Sequence, residues 1–404
     1  MQTKIVLVTT GQPALNPRLV KEADALADAG YDVTVIYAYW NTWGYNFTQL
    51  MLPEKKWKAV RAGGHPGEKP LVYFFSRLTF KFFRLVFAKF GIFQNAAVAR
   101  STPSLIRQAK KYKAHLYIGH NLGALPAVAL AAKANNAKYC FDAEDFHRRE
   151  STDDLQSTNY LIVKQTEDRY FPGLSYLSAS SPEIGSEYQM LYPYLSPTTI
   201  LNLFPEKLTK ISVTEDRRIK LFWFSQTIGI NRGLEDVAKA LTLLPKEKFE
   251  LHLLGNITTQ EKVSFIDQLF ANVNVTVHSP IPPDDIIVFA SQFDIGLATE
   301  QSTPLNRDIC LTNKLFSYLN AGLAIVASTT TAQKSFLNQH PEVGQLYQQD
   351  NAGELANILM DYHDNREFLF NTKKAALKLC HESINWEKES EKLLALVKGV
   401  LTSN

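Results

Sequence analysis

KIVLVTTGQPALNPRLVKEADALADAGYDVTVIY, residues 4–37, reads as strand, loop, helix, strand. Ile5–Val8 is a short apolar run rich in β-branched residues. Asn16–Ala29 places Leu19, Ala23, Leu26 and Ala27 on one helical face, and Gly30 stops it. Val33–Tyr37 is a second strand of the buried type. Strands joined by helices pair in parallel, with helices on both faces of the sheet. After an aromatic-rich insertion the pattern resumes, with Leu116–Ile118 as strand, Leu125–Ala134 as helix and Tyr139–Phe141 as strand. Tyr176–Ala179 and Thr199–Leu201 continue the series. A polar stretch, Phe204–Arg218, reads as a linker. The unit then restarts with strand Lys220–Phe224, loop Gln226–Gly233, helix Leu234–Leu244 and strand Phe249–Leu254. Val275–His278, Ile295–Ala298 and Ala324–Ala327 follow as strands, and Asn313–Asn320 as a helix. The fold class expected is therefore α/β, with two tandem doubly wound, Rossmann-like domains facing a cleft. The expected boundaries are 1–205 and 206–384, with 385–404 as a helix packing back on the first domain. Ligands of such sheets bind at the carboxyl ends of the strands.

The chain has 404 residues, 45% of them hydrophobic and 21% charged, the composition of a globular enzyme. A net charge of +3 excludes nucleic-acid binding driven by bulk positive charge. The charge is uneven, +7 over residues 1–200 and −4 over the rest. Any attraction to anionic surfaces thus belongs to the first half. Cys140, Cys310 and Cys380 are far apart and form no CxxC pair, which excludes a disulfide scaffold and a cysteine-rich zinc site. The apolar run at the N-terminus is too short for a signal peptide, and no window of about 20 residues is apolar and uncharged. A cytoplasmic location is expected.

Five segments, in order, carry a resemblance. Gly119-His120-Asn121 and Phe141-Asp142-Ala143-Glu144-Asp145 each follow a strand of the first half. Thr227–Asp236 contains Arg232 and opens a helix. Leu253-Leu254-Gly255 ends a strand, and His278-Ser279-Pro280-Ile281-Pro282 forms a turn. The most specific is Asn313-Lys314-Leu315-Phe316-Ser317-Tyr318-Leu319-Asn320-Ala321-Gly322, followed by Ala324–Ser328. Together they resemble GT-B glycosyltransferases, most closely retaining, family 4-like enzymes, over nearly the whole chain. The resemblance implies a nucleotide-sugar donor site built by Gly11, Arg232, Gly255, Ile281, Glu300, Asn313, Lys314 and Ser317. It places His120 at the transferred sugar as the catalytic residue, across the cleft from Lys314. Glu144 and Asp145 fall on the acceptor side. The physics of the reaction agrees. A diphosphate leaving group gains negative charge that helix N-termini and an Arg–Lys pair can stabilise, so no metal and no cofactor is expected.

This sequence departs from the family's pattern in two places. The family usually carries two glutamates eight positions apart; Ser317 stands at the second and Ile309 at the first, with Glu300 and Asp308 nearby. Arg232 matches one member of a basic pair, while Gln226 and Thr227 stand where the other would be. A lone histidine after a strand is commonly a satisfied structural residue, so both that reading and the catalytic one stand for His120. Some of Asp142, Glu144 and Asp145 equally suit pairing with Arg148 or Arg149.

Residues 71–93 combine sixteen apolar side chains with Arg77, Lys81, Arg84 and Lys89, and no Asp or Glu occurs between Glu68 and Asp142. Such a segment, 74–93 in particular, suits the headgroup boundary of an anionic membrane. The same rings also suit a core helix.

The expected function is metal-independent, retaining transfer of a hexose from a nucleotide diphosphate sugar to a saccharide. The acceptor is expected to be lipid-linked, the process surface polysaccharide or glycoconjugate assembly, and the place the inner face of a membrane, with no nucleic acid involved. The alternatives are a degenerate, non-catalytic GT-B protein binding a glycan or a protein, and a nucleotide-sugar epimerase of the same fold.

Overall fold

The computed structural model describes every residue except 1, 208, 210, 212–217, 259, 261–264, 272 and 404. The residues group into two units, Met1–Ile200 with Ser390–Asn404, and Leu201–Glu389. The expected linker falls at the start of the second unit, and its residues 208, 210 and 212–217 lie outside the described residues.

In the first unit β1 (Lys4–Thr9) is buried from Ile5 onward. A run that is apolar on both faces needs cover on both, and β1 accordingly lies inside the sheet. Seven strands pair in the order β3-β2-β1-β4-β5-β6-β7. The others are β2 (Asp32–Ala38), β3 (Lys58–Ala62), β4 (Leu116–His120), β5 (Lys138–Ala143), β6 (Leu177–Ala179) and β7 (Thr198–Thr199). All the pairings are parallel. Helix α1 (Pro17–Asp28) starts where the Asn16 side chain accepts from the Leu19 N–H, with Pro17 in its first turn. It buries Leu19, Ala23 and Leu26, and the left-handed Gly30 turns the chain into β2. The stretch between β2 and β4 is more than an insertion. It holds α2 (Thr42–Met51), the edge strand β3, α3 (Pro70–Phe90) and α4 (Thr102–Ala109). Lys58 and Arg61 masked β3 in the sequence, and an edge strand tolerates such charges. Helix α5 (Leu125–Asn135) joins β4 to β5, and α6 (Thr158–Tyr170) and α7 (Pro182–Leu191) complete the unit with the tail of the last helix, Trp386–Thr402. Lys138 Nζ ties that tail to the sheet through the Val400 carbonyl at 2.8 Å.

The second unit has six parallel strands in the order β10-β9-β8-β11-β12-β13. They are β8 (Ile219–Thr227), β9 (Phe249–Asn256), β10 (Val275–His278), β11 (Ile295–Ala298), β12 (Ala324–Ser328) and β13 (Gly344–Tyr347). β8 runs past the expected Phe224 into the predicted loop, with an irregularity between Phe224 and Thr227. Alternation along β8 sends Leu221 and Trp223 into one buried layer and Phe222 into the other. Helix α8 (Leu234–Thr242) covers the first layer, and helix Asn313–Ala321 the second.

Each sheet reverses its winding once, between β1 and β4 in the first unit and between β8 and β11 in the second. The carboxyl ends at those points are where open α/β sheets bind ligands.

Candidate functional site

In the second unit the reversal point gathers three of the expected donor residues. Gly233 caps α8 at φ +74°, and any Cβ there would meet the Thr299 carbonyl oxygen at 2.3 Å. That close approach joins the loop after β8 to the loop after β11. The Thr299 hydroxyl donates to the Arg232 carbonyl at 2.7 Å. The Arg232 guanidinium donates to the hydroxyls of Ser225 (2.9 Å) and Thr227 (3.1 Å). Among the described residues no carboxylate lies within ion-pair distance of it. Burial lowers its pKa, Arg307 adds to the effect, and Glu300 opposes it more weakly. Lys314 donates to Glu300 Oε1 at 2.6 Å and sits over the Trp223 ring at 5.4 Å. Thr312 donates to the same oxygen at 3.0 Å. Burial would raise the Glu300 carboxyl, but Lys314 outweighs it and holds the group below the usual carboxylate range.

The remaining donor candidates are placed around this cluster. Asn313 opens the helix that carries Lys314. Ser317, one turn on, is 1% exposed, and among the described residues its hydroxyl has no partner. Gly255 is the penultimate residue of β9, where a Cβ would meet the Ser225 carbonyl oxygen at 2.5 Å. Ile281, in the turn after β10, packs against the second buried layer. Asp308 is engaged by Thr331, whose N–H reaches it at 3.0 Å.

In the first unit the reversal point is a closed ion cluster. His120 ends β4 and is fully buried. Its Nε2 faces Glu22 Oε2 at 3.3 Å and its Nδ1 faces Asp142 Oδ2 at 3.4 Å. Arg18 forks onto Asp142 with bonds of 2.6 and 2.7 Å and donates to the Ile200 carbonyl at 2.6 Å. Ser178 donates to Asp142 as well, at 2.6 Å. Burial disfavours charge on His120, but Glu22, Asp142 and Glu144 outweigh it and raise its pKa well above the ordinary value. Burial and Asp142 raise Glu22, whereas Arg18 drives Asp142 far down against its own burial. Asn121, left-handed at φ +66°, accepts from Thr9 Oγ1 at 2.7 Å and donates to Glu144 Oε2 at 3.3 Å. Gly11 lies in the adjacent loop with nothing within 4 Å of an added Cβ. Asp145 follows Glu144, partly buried, and its carbonyl accepts from the His147 N–H at 3.0 Å.

Glu22, His120 and Asp142 offer ligand atoms within 4.8 Å of one another. They suit a metal poorly. The carboxylates approach opposite ring nitrogens, and the Arg18 guanidinium already holds both Asp142 oxygens. Sequence reasoning missed Arg18 and Glu22, because each reads as an ordinary helix-surface charge. It also missed Ser225 and Thr299, for which no local signal exists.

Helix α3 turns a stripe of Leu71, Phe75, Leu78, Phe82 and Leu85 to solvent, each 46–70% exposed. The spacing of four and three residues keeps them on one face. Phe87 is buried, and Phe83 packs with it against Ile162 of α6. Arg77 and Lys81 are exposed beside the stripe. Arg84 is not part of that rim: it turns inward, 3.3 Å from Asn159 Oδ1. Trp40, Trp43, Phe47 and Leu50 are also exposed, at and beside α2. No helix among the described residues is long and apolar enough to cross a membrane.

No protein-family model matches the sequence, and no curated protein matches it. Solved structures do. Sucrose-phosphate synthase from Thermosynechococcus elongatus superposes with a TM-score of 0.72 at 13% identity, covering 100% of both chains. Anabaena HepE in complex with UDP gives 0.71 at 14%, covering 98% of this chain and 100% of that one. WaaG, a glycosyltransferase involved in lipopolysaccharide biosynthesis, gives 0.66 at 11%, covering 98% and 100%. The chain has the fold of these GT-B proteins, two Rossmann-like units with parallel sheets of seven and six strands.

Proposed function

We propose that the chain is a glycosyltransferase that moves a sugar from a nucleotide diphosphate sugar to a saccharide. The observation that carries this reading is the unmatched charge of Arg232. It sits in the loop after β8, bonded among the described residues only to hydroxyls and repelled by Arg307. A diphosphate supplies the negative charge it lacks. Lys314 spends one N–H on Glu300 and has two left for phosphate oxygens. The first turn of helix Asn313–Ala321 adds backbone N–H groups. These fixed donors act most strongly as charge grows on the leaving diphosphate, which is how binding becomes catalysis.

In this reading Arg232 and Lys314 take the place of a metal, and retention of configuration follows the resemblance. Gly255 and Ile281 shape the nucleobase turn, and Glu300, Asn313 and Ser317 flank the nucleotide. Gly11 leaves room for the transferred sugar, which we place at the His120-Asn121 turn, with Glu144 and Asp145 toward the acceptor. The WaaG likeness supports a role in surface polysaccharide assembly. The exposed stripe of α3, with Arg77 and Lys81 beside it, supports a lipid-linked acceptor met at the anionic inner face of a membrane.

Ser317 favours a second reading, a non-catalytic protein of this fold that binds a glycan or a protein. Calorimetric titration with nucleoside diphosphates, followed by product analysis with donor and saccharide, tests the proposal. Transfer to the saccharide is expected. Binding without transfer favours the second reading, and isomerised sugar from donor alone indicates an epimerase. A folded protein that binds no nucleoside diphosphate contradicts the proposal.

A further inference from the structure

Three basic and three acidic side chains meet at the carboxyl ends of β4 and β5. Arg18, Lys21 and Glu22 come from α1, His120 closes β4, and Asp142 and Glu144 come from β5 and the turn after it. The buried Tyr176 hydroxyl, ahead of β6, faces the same group with no hydrogen-bond partner among the described residues. Within the cluster neither Glu22 oxygen and neither His120 nitrogen makes a formed hydrogen bond. The two residues meet as close charges.

The ring's placement decides its protonation. Its Nε2 faces Glu22 at 3.3 Å, while its Nδ1 faces Asp142 at 3.4 Å and, farther off, Glu144 at 3.9 Å. A neutral imidazole carries one N–H and one lone pair, so one carboxylate would face a lone pair. With Glu22 and Asp142 both ionised, only the imidazolium is attracted on both sides. Arg18 spends its fork on Asp142 and approaches Glu22 only at 3.6 Å, beyond hydrogen-bond distance. Glu22 is therefore the anion that answers the second proton of His120. We propose that Glu22 keeps His120 doubly protonated, and that this buried imidazolium fixes the turn at Asn121. Glu22 is then a positioning residue for the transfer reaction, an assignment that rests on the glycosyltransferase reading only in its kinetic part. Asn121 follows His120 directly and binds Thr9 of β1 and Glu144 at once. Without the charge, α1 and β5 would present two anions to a neutral ring, and the Gly11 and Asn121 loops would lose their common anchor.

Nitrogen-15 NMR of the full chain labelled at histidine tests this, with H120Q identifying the signal. In wild type both ring nitrogens stay protonated through the region near pH 6.5 where a free imidazole titrates, about 6.5 being its ordinary pKa. E22D draws the carboxylate back and lowers the titration, and E22Q lowers it further. An ordinary titration in wild type, or any order other than wild type above E22D above E22Q, overturns the proposal. If E22Q does not fold, the comparison of wild type with E22D still decides. Faster hydrogen exchange at Thr9–Gly11 and His120–Asn121 in E22D is expected, and unchanged exchange contradicts the anchoring role. In the kinetic arm, misplacement should lower kcat by up to about 100-fold with KM for the nucleotide sugar unchanged. An unchanged kcat contradicts the positioning role. A wild type without transferase activity overturns the function proposed above, while the NMR and exchange results still decide this one.

Discussion

The two reversal points of the molecule occupy equivalent places in their sheets and differ in charge balance. In the first unit Arg18 and His120 face Asp142 and Glu22, and every member is buried. In the second, Lys314 holds Glu300, and among the described residues no carboxylate is within ion-pair distance of Arg232. Matched charges lock secondary structure together. A surplus cation with only hydroxyl partners is a place for an anion. Equivalent topology thus carries matched charges in one unit and, in the proposed function, an anion site in the other, and the side chains decide which.

The largest effect should come from breaking the lock. Replacing Arg18 by Met leaves the buried Asp142 and Glu22 with His120 as their remaining counter-charge, and breaking a buried pair such as Arg18–Asp142 costs about 3–5 kcal/mol. Urea unfolding measures it, and a loss under about 1 kcal/mol would mean that the cluster is not a lock. In the second unit, removing the surplus cation Arg232 should spare stability and remove binding. R232M and K314M should each weaken nucleoside diphosphate binding about 10–100-fold, since a charge-assisted bond to phosphate contributes roughly 1.5–3 kcal/mol. A destabilised R232M protein with normal affinity would reverse the comparison.

These two regions were unequally legible. The resemblance to GT-B enzymes, carried by short motifs close in sequence, led to Arg232, Glu300 and Lys314. The lock was hidden because Arg18 bonds Asp142 across 124 residues. Most strands were legible because they are apolar on both faces. β3 was not, since Lys58 and Arg61 suit only an edge. Aromatic and basic composition marked residues 71–93, but not which face of α3 is buried, because helical periodicity leaves two broad apolar arcs there. The structure resolves that: Tyr73, Phe80, Phe83 and Phe87 turn inward and the leucine-rich stripe outward.

The comparison sharpens with pH. In the first unit Glu150, 2.7 Å from His147, outweighs burial and pushes that histidine up to about 9. His120 is raised as well. A raised histidine stabilises fully below its unfolded value, about 6.5, and the contribution fades as pH rises through the folded value. In the second unit burial pulls His252 and His278 down. Their contribution is present above about 6.5 and fades as pH falls through the folded values. Protection factors, which divide out the base-catalysed intrinsic exchange rate, should therefore fall in the first unit between roughly pH 6.5 and 9, and in the second on acidification below about 6.5. The same direction in both units would break the contrast.

The smallest effect concerns α3, where surplus positive charge lies beside exposed apolar surface. Each basic residue near an anionic bilayer contributes about 1 kcal/mol. R77E with K81E should release the folded protein from anionic vesicles, and salt should do the same to wild type. Equal recovery of wild type with anionic and neutral vesicles would remove the membrane from the account.

Hydrogen-exchange mass spectrometry of the full chain, with and without uridine diphosphate, tests the contrast between lock and anion site most directly. Protection is expected at 225–235 and 312–318 in wild type, lost in R232M, with no protection at 16–22 or 116–121. Protection confined to the Arg18–His120 cluster, or protection at 225–235 that survives R232M, would contradict the assignment of the anion site to the second unit.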